Sequence, residues 1–156
     1  MLESGSVIVA RHEDELEVMA GAARDERRGA RVITREEVAE LAPIPIDGVV
    51  GALHARRDIR VDPRRAVAGL ASLLEQDPGA RVIWNAHAHG ADPGRVDACR
   101  LQMLRVAGPG GRRYAPALLT GLSLLRYPAF TAQPGCERVR ARITEERPEL
   151  VAAGTT

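Results

Sequence analysis

The spacing of apolar residues changes repeatedly along this chain, and each change marks an element. From Ser6 to Arg11 small and β-branched residues alternate, which predicts a strand; after His12-Glu13-Asp14 the residues Leu16, Met19, Ala20 and Ala23 recur at helical spacing. That helix is expected to run to about Arg28, where Gly29 stops it. Ala30 to Ile33 reads as a short strand that ends in a capping box: Thr34 can accept from the amide of Glu37 while Glu37 reaches back. The helix it opens must end before Pro43, because Pro43-Ile-Pro-Ile-Asp-Gly48 fixes φ twice and removes two donors.

A strand from Val49 to His54 and a turn from Arg56 to Arg60 follow. Asp62 then caps a helix predicted over Pro63 to Gln76, since a proline at the first helical position gives up only an amide that would be unpaired anyway. Gly79 stops this helix, and Arg81 to Asn85 is read as a strand, with Gly79-Ala-Arg-Val-Ile83 echoing Gly29-Ala-Arg-Val-Ile33. Ala86 to Asp97 has no period and reads as loop, Arg100 to Val106 alternates as a strand, and Gly108 to Arg113 is a turn. Leu118 to Tyr127 is an apolar run whose period allows strand or helix; Gly121, Ser123 and Pro128 favour strand. Cys136 to Arg147 predicts a closing helix with Val139 and Ile143 inward, ended near Pro148, and the tail beyond Leu150 is expected to fray.

Composition narrows the classes. The chain has 156 residues and 45% hydrophobic content, enough for one domain with its own core, over residues 1–150. With aromatics at 3%, that core must come from Val, Leu, Ile and Ala. No lysine occurs, the formal net charge is +1, and Arg56-Arg57, Arg64-Arg65 and Arg112-Arg113 are scattered without aromatic interleaving, so no stacking platform for nucleic acid is expected. Cys99 and Cys136 lack C-x-x-C spacing, no apolar run reaches membrane-span length, and the N-terminus lacks signal-peptide character; cytoplasm is the expected location.

Residue constellations for hydrolytic or metal chemistry are weak. His87 and His89 form H-x-H supported only by Asp92, which reads as loop histidines and not as a metal site. Ser123, His54 and Asp58 could be drawn as a triad, but no G-x-S-x-G elbow presents the serine. Glu36-Glu37 and Glu145-Glu146 are adjacent in helices and point apart.

Three stretches carry a family resemblance: Thr34-Arg-Glu-Glu-Val-Ala-Glu-Leu-Ala-Pro43 with Gly48-Val-Val-Gly-Ala-Leu-His54; Arg60-Val-Asp-Pro63 with the helix and strand after it; and Cys99-Arg-Leu-Gln-Met-Leu-Arg105 with Leu119 to Phe130. Together they resemble the FAD-dependent oxidoreductases of the D-amino-acid oxidase superfamily, which includes glycine and sarcosine oxidases. Within it they look most like a bacterial subgroup linked to aminophosphonate breakdown. The resemblance implies an α+β fold: a mixed, largely antiparallel sheet with helices mainly on one face, matching the substrate-binding part, with residues 58–90 like a piece of the FAD domain.

For function the resemblance implies oxidation of a small amine or amino acid, with aminophosphonates among the candidates. It places Arg100, Gln102, Arg126 and Tyr127 on the substrate side, where a guanidinium fork and a phenol suit a carboxylate or phosphonate. It maps adenine-region contacts only to Ala88 and Gly90. Yet a flavin-binding half needs a strand, then G-x-G-x-x-G at a helix N-terminus, then an acidic residue for the ribose. The sequence contains no such motif, and Gly108-Pro-Gly-Gly111 leads to no helix. The family's C-terminal segment is expected to be lacking after Thr156, and a strand pair between Asn85 and Asp92. FAD belongs to complete relatives and is not expected to bind this chain tightly. The expected partners are a separate flavin-binding half or a second copy; the alternative is a non-catalytic small-molecule-binding or interaction domain derived from such an oxidase.

Overall fold

In the computed structural model, which describes residues 4–85, 108–111 and 114–152, the alternating segments assemble into a single sheet. β1 (Ser6–Ala10), β2 (Ala30–Ile33), β3 (Gly51–Ala55) and β4 (Ala117–Thr120) pair in the order β2-β3-β1-β4. Both β1 and β2 run antiparallel to β3, and β4 joins β1 in parallel. The α+β class with a mixed, largely antiparallel sheet is thus the observed one.

Strand register decides what each face carries, because side chains alternate across a sheet. Ile8 lies opposite Leu53 and Leu119, and these three share one face; Val7 lies opposite His54 and Leu118 on the other. The first face is covered by α1 (Glu13–Ala23), a 3-10 turn over Gly121–Leu125, and α5 (Cys136–Glu146), which bury Val18, Met19, Leu124 and Val139 against Ile8 and Leu53. The second face holds a smaller cluster of Val7, Ile33 and Ala52 under Val38 of α2 (Arg35–Leu41). Helices therefore lie mainly on one face. Each fully buried aliphatic side chain contributes about 1.5–3 kcal/mol, so the first face dominates stability.

The chain divides into two compact units, Met1–Arg60 with Arg112–Thr156, and Val61–Gly111. The sheet belongs to the first. The second contains α3 (Pro63–Glu75), whose start is as read: Asp62 accepts from the amides of Arg64 at 3.0 Å and Arg65 at 3.5 Å. The capping box of α2 is also present, with Thr34 N donating to Glu37 at 2.8 Å and Glu37 N donating to Thr34 Oγ1 at 3.3 Å.

Four readings need correction. The first helix ends at Ala23, not Arg28, because the Asp25 carboxylate accepts from the Arg27 amide and opens a separate 3-10 turn over Glu26–Arg28, closed by Gly29 at φ 58°. Arg81 to Asn85 is no strand. The described residues of its unit supply no strand partner, Asn85 turns left-handed at φ 54°, and Trp84 Nε1 donates back to Glu75 at 2.5 Å.

Leu118 to Tyr127 is strand only as far as Thr120. β4 has no β1 partner beyond Val9, and the chain turns at Gly121, where a Cβ would lie 2.5 Å from the Glu15 carboxylate. Beyond Pro148 the chain continues as α6 (Pro148–Ala152), so the tail past Leu150 is helical as far as Ala152. Between them lies the short α4 (Pro128–Thr131). The predicted loop at Ala86–Asp97 and strand at Arg100–Val106 lie outside the described residues.

Candidate functional site

Beside the face that carries Ile8, Leu53 and Leu119, at the end where β1, β2 and β4 begin, lies a groove of about 810 Å³, lined from the sheet by Ala30, Ala55, Ala117 and Leu119 with the buried Ile8 and Leu53 beneath. Phe130 and Ala22 wall it, and Arg28, Arg57, Arg60 and Tyr127 stand around its mouth. The only carboxylate in its lining is Asp58, which accepts from the Ser6 hydroxyl. Asp58 is further tied in by its backbone, since its carbonyl accepts from Gly5 N at 3.0 Å. A second cavity, of about 570 Å³, lies by Val9 and Thr120 at the other end of β1 and β4 and is lined by Glu15, Arg142 and Arg147.

Of the residues that the sequence nominated, two are described. Tyr127 precedes α4, is 46% exposed and lines the groove; Arg126, its neighbour, caps the 3-10 turn, is exposed and does not line it. Arg100, Gln102, Ala88 and Gly90 lie outside the described residues, as do His87 and His89. The structure instead brings Tyr127 together with Arg28, Arg57 and Arg60, which in the sequence are three unconnected surface arginines.

The triad drawn from Ser123, His54 and Asp58 does not assemble: no hydrogen bond joins any two of them, and Asp58 is engaged by Ser6. Among the described residues, no group of His, Cys, Asp and Glu is arranged to hold a metal ion. None of the described helices is long and apolar enough to cross a membrane.

Two titratable sites lie inside the first unit, and the first of them escaped the sequence. Arg142 of α5 bonds Asp14 at 2.9 and 3.1 Å, Glu15 at 2.9 Å and Glu146 at 3.2 Å. Burial acts to raise the Asp14 carboxyl, but the Arg142 guanidinium outweighs it and holds the group below its ordinary 3.8. Arg142 is held protonated by the same contacts, against its own desolvation. The second site is His54, buried on β3 with Nδ1 lacking a hydrogen-bond partner. Burial first, then the charges of Arg31 and Arg56, push its imidazole below the ordinary 6.5, against an opposing pull from Glu37.

The sign of the His54 effect follows from linkage. A folded state that resists protonation keeps its full stability above the unfolded value and loses it as pH falls through the folded one. Stability is therefore expected to decline from pH 6.5 downward, before the carboxylates with ordinary values of 4.5 and 3.8 begin to contribute. Urea midpoints measured between those limits should slope in the native chain and flatten in His54→Gln; an equal slope in both would assign it to other groups.

Compared with known families, residues 1–119 match the model of the FAD dependent oxidoreductase family. The match spans most of the chain. This chain belongs to the FAD-dependent oxidoreductase family. No curated protein and no solved structure gives a match.

Membership raises the question of whether this oxidoreductase chain can hold a flavin dinucleotide. A pyrophosphate needs free backbone amides at a helix N-terminus. The three helices nearest the start of the chain each carry a carboxylate at the N-terminal turn. The first turn of α1 holds Glu13, Asp14 and Glu15, and Asp14 accepts from Glu15 N at 2.8 Å. The Thr34–Glu37 box closes α2, and Asp62 closes α3. An incoming phosphate would meet negative charge at each, so these described residues do not fit the dinucleotide.

Proposed function

We propose that this chain serves the substrate side of an FAD-dependent oxidation of a small amine or amino acid, with aminophosphonates among the candidates. The observation that carries the reading is the family match over residues 1–119. In this reading Arg126 and Tyr127, adjacent and exposed after the 3-10 turn, face the substrate's acid group. The flavin comes from a separate flavin-bearing half, and the 156 residues alone neither retain FAD nor turn over an amine. The carboxylates at the N-termini of α1, α2 and α3 support that part. The same reading places the chain in the cytoplasm, where Cys136 stays a buried free thiol.

The test is direct. The purified chain should show no flavin absorbance, take up no added FAD, and release no hydrogen peroxide with glycine, sarcosine or aminoalkylphosphonates. Stoichiometric flavin retained through gel filtration, or turnover lost in Arg126→Ala, would replace this reading with a complete site formed by the chain itself. Those same helix N-termini also favour the second reading, a non-catalytic binding domain. Saturable binding of a small zwitterion in the absence of any flavin, together with no gain of activity on adding a flavin-bearing partner, would favour it over the first.

A further inference from the structure

The groove at the open end of the sheet combines two features that oxidation of a small zwitterion does not require. Its accessible lining is largely hydrocarbon, from Ile59, Ala117, Leu119 and Pro128 over the buried Ile8, Leu53 and Phe130, and its volume of about 810 Å³ far exceeds that of a glycine-sized molecule. Three arginines and one carboxylate also line it. That carboxylate, Asp58, is already bonded to Ser6, and Arg28 is paired with Asp25 at 3.3 Å. Arg57 and Arg60 make no ion pair or side-chain hydrogen bond with any other described residue.

Arg57 is also positioned. Its stem runs over Gly29, where a Cβ would come within 2.9 Å of Arg57 Cδ, so the missing side chain of a left-handed glycine makes room for the arginine beside the groove. A guanidinium held this way binds an anion with less ordering cost than a free surface arginine.

From this we propose that the groove is a binding site for an anionic amphiphile, a carboxylate with an unbranched hydrocarbon body. The tail lies along Ile59, Ala117, Leu119 and Pro128, and the head is taken by Arg57 and Arg60, with Tyr127 in the same lining as a further donor. Hydrocarbon burial supplies most of the attraction and the arginine pair selects the charge. The groove shares Tyr127 with the substrate side proposed above, while Arg57 and Arg60 belong to the groove alone.

The probe is decanoate, titrated calorimetrically into the full chain at low salt, with acetate, inorganic phosphate and decanol as comparisons. Saturable binding of one decanoate per chain is expected, with acetate, phosphate and decanol each at least about tenfold weaker, because each lacks one of the two features. The Arg57→Gln, Arg60→Gln double variant changes only exposed side chains and should weaken decanoate about tenfold while leaving decanol unchanged. Ala117→Phe, which fills the groove from β4, should abolish both, with its fold verified by circular dichroism. The proposal is overturned if decanoate does not saturate, if phosphate binds as well as decanoate, or if the double variant and the folded Ala117→Phe variant bind like the native chain.

Discussion

Replacing Arg142 with methionine is expected to destabilise the first unit by about 3 kcal/mol, although the change keeps much of the side chain's bulk. Arg142 is 20% exposed, and its partner Glu15 only 7%. Without the guanidinium, the Glu15 carboxylate stays in the interior with the Arg11 amide as its remaining donor, at 2.8 Å. Removing one member of such a pair is costly because the other is left charged and desolvated, not because the pair itself contributes so much. Gly121 sharpens the effect: its backbone passes so close to Glu15 that the carboxylate has little room to swing toward water. The double variant Glu15→Gln, Arg142→Met should recover a substantial part of the loss. Arg138→Met, which breaks a pair whose members are both 63% exposed, should leave the urea midpoint nearly unchanged. If Arg142→Met and Arg138→Met shifted the midpoint equally, the ion cluster would be a surface feature and the packing of α5 on α1 would need another explanation.

The reason this cluster could not be read from the sequence is distance along the chain. Arg142 and Asp14 are 128 positions apart, and nothing local marks either as the other's partner. Features closed within a few residues were legible instead. Thr34 with Glu37, and Asp62 with Pro63, announce helix starts by chemistry that needs no tertiary contact, and both are present with hydrogen bonds at the expected atoms. β2 is bounded as read by Gly29 and Thr34 for the same reason. Arg81 to Asn85 shows the opposite case: its residues repeat those of β2, but a strand exists only where another strand takes its hydrogen bonds, and β3 gives that to Arg31, Val32 and Ile33. The candidate site was partly legible. Tyr127 was nominated and lines a groove, but the arginines beside it converge only because β3 and its following turn bring Arg57 and Arg60 to the same end of the sheet as Arg28.

Leu124→Ala is expected to cost about 3 kcal/mol, the second large effect, and it decides the conformation of the apolar run. Leu124 is fully buried where the 3-10 turn meets β1, α1 and α5, and its carbonyl accepts from Cys136 Sγ at 3.6 Å. Truncating it opens a cavity among side chains from three elements, which cannot all collapse into the space. Leu118, on edge strand β4, is 36% exposed, and Leu118→Ala should lose less than about 1 kcal/mol. Had the run been one strand, residues 118 and 124 would share a face and 125 would point the other way. The two alanine variants would then behave alike. In the 3-10 turn Leu124 and Leu125 are buried together, at 0% and 2% exposure, so Leu125→Ala should resemble Leu124→Ala and neither should resemble Leu118→Ala. Urea denaturation of the three variants separates the geometries: equal losses at 118 and 124 with little at 125 would restore the strand, whereas large losses at both 124 and 125 require the turn that buries them side by side.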